Sequence, residues 1–525
     1  MIRADLSSTA AQGQFARHDE FALENPARGR VLAVLRLACR VLGMNKRGIG
    51  RLCGGAIVTA LLLSMGIGAM PAVAQTVQIG GGTVTGTGAT AVNPGAIAIG
   101  ANATGGASAL AADSIAIGGQ SSVSSSGSFG IAVGSQATVT ASSGIAIGVS
   151  STASASNTIA IGLTAQATGF NAIAQGVNSA ASGVSAAAIG SSATASGDFA
   201  TAVGASAKAT ALNSTAVGQF STATAGDATA LGSFNAASGA ASVSIGVLNN
   251  ASSSNAIALG SNNTGSGFQA TALGVSNIVN GSNAIALGTS NSASAFSSTA
   301  LGVTNTASAN LATAVGNSNT ASDTFASAFG YNNTASGLNS VAIGNTSTAS
   351  GVTAIAFGSF NTASGTNSVT IGNNSMATGT STIAIGDTNQ VLNSSSTAVG
   401  SGNIVAGFRS TALGIGNTAS SSSSIALGDS NIASATNSIA IGFQNNVSGN
   451  NSGAFGDPNT VSGAGSYAVG NNNTIAANDA FVPGNGVTIA AGLDGSVALG
   501  NNTTVAAPNA GTTALYGGTA AGTAS

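Results

Sequence analysis

The stretch Ser282–Ala295, SNAIALGTSNSASA, decides the fold. Its skeleton of Ala-x-Ala-x-Gly, then Asn, then Ala-Ser returns along most of the chain. The glycine that closes its apolar half stands at Gly100, Gly118 and Gly134, and from there every fourteen residues to Gly484. That makes 26 glycines in register, followed by a sixteen-residue step to Gly500. No insertion interrupts the run, so each unit must pack on the next in one fixed way.

The columns of the unit specify its conformation. The residue before the glycine is Val, Ile, Leu or Phe in 24 of 26 copies, the exceptions being Gln175 and Pro483. Two before it stands Ala in 23 copies, and three before it Ile, Val or Thr in 21. β-Branched enrichment over so short a run reads as a strand, and a glycine every fourteen residues excludes helix. The third residue after the glycine is Asn in 16 of 18 consecutive units, with Ser347 and Ser375 as exceptions. These are Asn235, Asn249, Asn263, Asn277, Asn291, Asn305, Asn319, Asn333, Asn361, Asn389, Asn403, Asn417, Asn431, Asn445, Asn459 and Asn473. Asn tolerates the left-handed backbone, so the column predicts a turn, and stacked copies predict an amide ladder. A small apolar column two residues later, then Ser or Thr and often Gly, predicts a second strand and a second turn.

Two strands and two turns in fourteen residues make one coil of a narrow all-β parallel solenoid. At about 4.8 Å per rung, roughly 26 to 29 coils give a rod on the order of 130 Å long. In Ala-Ile-Ala-Leu the side chains alternate, so Ile285 and Leu287 share one face and Ala284 and Ala286 the other. Both faces are apolar, yet one coil has only one interior, so an apolar stripe must run along the outside. The expectation is side-by-side assembly with copies of the same chain. Which column faces inward stays open at this level.

The organisation expected from sequence runs as follows. Residues 1–43 are a leader extension or follow a mis-assigned start, with Met44 as the alternative start. Residues 44–74 read as a signal peptide: basic Lys46, Arg47 and Arg51, an apolar run Ala56–Met70, and cleavage between Ala74 and Gln75. A retained anchor is the alternative. Residues 75–133 are irregular capping coils, 134–484 the regular repeats, 485–502 a C-terminal capping coil and 503–525 a flexible tail. Pro483, in a strand position, marks where regular pairing fails.

Removing residues 1–74 removes Cys39, Cys53 and His18 and nine of the eleven basic residues, leaving Lys208 and Arg409. Nine aspartates and no glutamate then give a net charge of about −7. Two cations cannot neutralise phosphate backbones or anionic lipid, so nucleic acid and membrane insertion by the mature chain are excluded as partners. No disulfide or thiolate chemistry is available. Nucleophile–base pairs need His, Lys, Glu or Cys beside a hydroxyl, and one lysine is all that remains. The expectation is therefore no enzyme, no cofactor and no metal. Asp387, Asp429 and Asp457 share the position after a repeat glycine but build no recurring oxygen cage. Lys208 and Arg409 are expected to be solvent-exposed turn residues.

The phrases NSVAIGNTSTASG (339–351) and NSIAIGFQNNVSG (437–449) resemble the head repeats of YadA-like trimeric autotransporter adhesins, whose motif is Asn-Ser-Val-Ala-Ile-Gly-x-x-Ser/Asn-x-Ala-x-Gly-x-x-Ser. The resemblance covers about residues 77–505. It implies a left-handed parallel β-roll, a homotrimer, and display at a bacterial cell surface or secretion, with an extracellular ligand to which the chain adheres. The resemblance extends to the head alone; sustained heptads of a stalk and the terminal amphipathic strands of an outer-membrane anchor are not among the residues that match. A structural spacer or matrix protein is the alternative. An ice-binding solenoid is a remote third, because the column three before the glycine carries Thr at only 8 of 26 positions, interspersed with Ile and Val.

Overall fold

The computed structural model describes residues 89–102 and 105–505. The expected start, the signal segment with Ala74 and Gln75, and the tail beyond 505 lie outside the described residues. Within them the fold is two parallel ladders and no helix. A long-strand ladder of 28 strands runs from Ile97–Ile99 to Phe481–Pro483, and a short-strand ladder of 29 runs from Thr90–Ala91 to Thr488–Ile489. Each strand pairs with its equivalent one coil on. Ile285 lies opposite Thr299, Ala286 opposite Ala300 and Gly288 opposite Gly302, while Ser292 pairs with Thr306 and Ala293 with Ala307. The chain is a β-solenoid of about 28 turns. Its one departure is a two-stranded antiparallel pair, Ala101–Asn102 with Gly105–Gly106, in the eighteen-residue step from Gly100 to Gly118.

The alternation left open by the sequence is resolved: alanine goes in. Ala284, Ala286 and Ala293 are 0% exposed, whereas Ile285 and Leu287 are each 43% exposed. The interior is a stack of methyl groups, widening to Val461, Ile475, Val482, Val487 and Ile489 near the C-terminal end. At about 0.8 kcal/mol per buried methyl-sized group, three alanines contribute roughly 2–3 kcal/mol per coil. Ile285 and Leu287, each nearly half exposed, still leave roughly 1–3 kcal/mol of burial unrealised between them, taking ~1.5–3 kcal/mol per fully covered side chain.

Each coil turns at two left-handed residues. In the unit around Gly288 these are Ser290 (φ 55°) and Ser297 (φ 51°). The left-handed residue is thus the one before the Asn column, not the Asn itself. The backbone supplies the first bend at Gly288 (φ 120°), where a Cβ would run into the carbonyl oxygen of Gly302 on the next coil. Only glycine lets consecutive coils approach there.

The solenoid has two sectors with different first turns. Up to Ser221 the column after the turn is Ala or Ser, and its amide closes a local turn: Ala207 N–H donates to Gly204 O at 3.3 Å and Ser221 N–H to Gly218 O at 3.4 Å. From Asn249 that amide instead donates to the Asn carboxamide of the preceding coil, as Asn249 N–H does to Asn235 Oδ1 at 3.0 Å. Freed from the local bond, the long strand lengthens from three residues, as in Thr215–Val217, to five, as in Thr229–Ser233. The longer strand runs through most of this sector, the Ser347 and Ser375 coils included, and shortens again to Tyr467–Val469 in the coil of Asn473.

Candidate functional site

The sixteen asparagines lie in one buried interior column. Asn291 shows the pattern. Its backbone N–H and its Nδ2 both donate to Asn277 Oδ1, at 2.9 and 3.0 Å, and Nδ2 also donates to Leu287 O at 3.1 Å and Gly302 O at 2.7 Å. Buried polar groups demand such partners, and the Asn291 carboxamide finds them on its own coil and on both neighbours. At the interruption, Ser347 Oγ accepts Asn361 N–H at 3.3 Å and donates to Gly358 O at 3.1 Å, a looser substitute. The sixteen side chains are buried and their bonds run within the solenoid.

Outside, the coil presents two unlike faces. The long-strand face is mainly apolar, with Ile257, Ile285, Leu287, Ile355, Phe357 and Leu413 among its exposed members, and is broken by threonines such as Thr299 and by Asp387 and Asp429 at strand ends. The short-strand face is hydroxyl-rich, with Lys208 the one charged side chain on its described strands. Thr306, Thr320, Thr334, Thr348 and Thr362 stand in register on consecutive rungs, each followed two residues on by a serine, from Ser308 to Ser364. This continuous threonine rank sits in the short strand, not in the long-strand column three before the glycine. Counting the column four after the glycine would have found it.

The two rows of left-handed turn residues are mostly Ser, Asn and Thr, punctuated by exposed phenylalanines. Phe199 and Phe220 occupy left-handed positions (φ 57° and 54°) with exposed rings, and Phe220 stacks on Phe234 at 5.0 Å. A bulky residue held there costs of order 1–3 kcal/mol of backbone strain, and its ring gains little burial in return within one chain.

Charges are sparse and used locally. Asp198 accepts Val184 N–H at 2.8 Å, and Asp227 accepts Asn213 Nδ2 at 3.0 Å. Asp387 accepts Asn373 Nδ2 at 2.8 Å. The Arg409 guanidinium lies 4.9 Å over the Phe408 ring in a turn, while Lys208 lies on the short strand Lys208–Ala209 rather than in a turn. A strand is what its column dictates, four residues after Gly204. Among the described residues no three His, Cys, Asp or Glu side chains gather to hold a metal ion. Among the described residues no helix is long and apolar enough to cross a membrane.

Ladders in fourteen-residue register, an alanine interior, a buried amide column and one mainly apolar outer face together define a parallel β-solenoid repeat protein. The chain belongs to the YadA head domain repeat family, whose two-copy model matches successive overlapping segments across residues 140–457. No curated protein matches the chain. The family is adhesin-like and generally non-enzymatic.

Proposed function

We propose that this chain is the adhesive head of an exported surface protein, a left-handed β-roll that works as a homotrimer. The observation that carries the reading is the sidedness of the rod. One face rich in exposed aliphatic side chains runs along a solenoid whose opposite face is rich in hydroxyls, and exposed phenylalanines punctuate the corners between them. Three chains packed on their long-strand faces bury the stripe that a soluble monomer does not leave open, and relieve the corner phenylalanines of exposure. The short-strand faces then point outward and meet the extracellular ligand, through many weak contacts rather than one deep site.

The first test is the mass in solution of residues 75–525. A stable monomer at micromolar concentration contradicts the packing argument. The second is adhesion of that protein to matrix, abiotic and cell surfaces against a control with scrambled repeats. Equal adhesion by both sinks the adhesive reading and leaves a spacer or matrix component. The five-rung threonine–serine rank also favours one narrower reading, an ice-binding face, which thermal-hysteresis measurement decides.

A further inference from the structure

The sequence contains two Asn–Gly pairs, Asn280–Gly281 and Asn485–Gly486. Such pairs are chemically special because glycine has no Cβ to keep its amide nitrogen away from the preceding side chain. The structure treats the two differently. At Asn485 every group is held: Nδ2 donates to Asn501 Oδ1 at 2.9 Å, Oδ1 accepts Asn471 N–H at 2.7 Å, and Gly486 N–H donates to Asn471 O at 2.9 Å. At Asn280, an exposed residue of the short-strand face, only the carbonyl end is held, with Ser266 Oγ donating to Oδ1 at 2.6 Å. Its Nδ2 takes no partner among the described residues. Gly281 N–H has only a long 3.3 Å bond to Ala293 O, a carbonyl it shares with Asn280 N–H at 3.1 Å.

We propose that Asn280 is a self-modification site, at which the chain converts its own amide to an acid without an enzyme. Solvent base removes the Gly281 amide proton and the nitrogen attacks Asn280 Cγ. The Cγ–Nδ2 bond breaks, and the amide leaves as ammonia with a proton from water. Water then opens the resulting five-membered imide at either carbonyl, giving aspartate or isoaspartate, with no change of oxidation state. Ser266 acts as a positioning and oxyanion-stabilising group, because its hydroxyl already donates to the oxygen on which charge develops. The free Nδ2 and the weakly held Gly281 nitrogen are the leaving group and the nucleophile.

The product matters because of where it forms. A carboxylate enters a hydroxyl-rich face between Ser266 and Ser294, one rung to either side. The isoaspartyl form also adds a main-chain atom just before Gly281, where the space a Cβ would need is already filled by the Ala295 carbonyl of the next coil. That coil cannot absorb the insertion, so conversion marks and loosens an aged rod at one rung.

The test is timed incubation of the purified full chain at mildly alkaline pH, with peptide mapping that separates amide, aspartyl and isoaspartyl forms at both sites. Conversion at position 280 with Asn485 intact is the expected result. Ser266→Ala, checked for native circular dichroism, slows it about fivefold, the factor given by a hydrogen bond worth ~1 kcal/mol in the transition state. Ser266→Thr keeps the hydroxyl and restores the rate. Three results overturn the proposal: Asn280 surviving while an unstructured peptide of the same sequence converts, Asn485 converting as fast, or Ser266→Ala converting at the parental rate.

Discussion

Replacing Asn305 with alanine tests the buried amide column most directly. The Asn305 carboxamide makes five hydrogen bonds. Nδ2 donates to Asn291 Oδ1 at 3.0 Å, Leu301 O at 2.8 Å and Gly316 O at 2.7 Å. Oδ1 accepts the Asn319 backbone N–H and Nδ2, both at 3.0 Å. Truncation leaves the Asn319 amide and the Gly316 carbonyl without these partners in the interior, and an orphaned buried group costs ~1–3 kcal/mol. Part is recovered if the coil reverts to the tight turn that Ala207 makes on Gly204. The expected net loss is about 2–4 kcal/mol. Asn305→Ser retains a donor and an acceptor in the manner of Ser347, so it should cost only ~1–2 kcal/mol. Urea unfolding gives the ranking, and native-state hydrogen exchange locates the damage at the Asn319 amide. If alanine and serine variants unfold together, or the Asn319 amide keeps its protection in Asn305→Ala, the ladder does not carry the stability assigned to it.

Two further substitutions separate the faces. Ala286→Leu forces a large side chain into an interior built for methyls and should destabilise the coil by ~1–3 kcal/mol or more, read as a lower unfolding midpoint. Leu287→Asp, one residue along but outward, should leave the β circular dichroism of the chain intact while shifting its mass toward monomer in light scattering; an unchanged oligomer refutes the apolar-face interface. In the first sector, Ala207→Asn should destabilise by ~1–3 kcal/mol rather than strengthen the rod. Its flanking column members Ala193 and Ser221 offer no carboxamide, so the new one is buried half-satisfied. A raised melting temperature there would show that a single amide works without a ladder.

The sequence by itself determined the period, both strands of each coil, the absence of helix and the head family, because these rest on local alternation and on glycine at fixed intervals. It named the Asn column through the demand that a recurring polar residue find partners at every rung. It could not choose between the Ala284–Ala286 face and the Ile285–Leu287 face, since period-2 alternation makes both apolar and says nothing of how close two ladders come. The tertiary structure chose: the short turns bring the ladders so near that the interior is filled mostly by alanine, with valine, serine and asparagine in particular columns, and the larger aliphatics of the long strand are turned out. The same packing moved the left-handed conformation from Asn291 to Ser290, because the Asn backbone must already run in register to receive the carboxamide of the coil before it. And only the three-dimensional register showed that the change from serine to asparagine at one column, between Ser221 and Asn235, replaces a bond within a turn by bonds between coils.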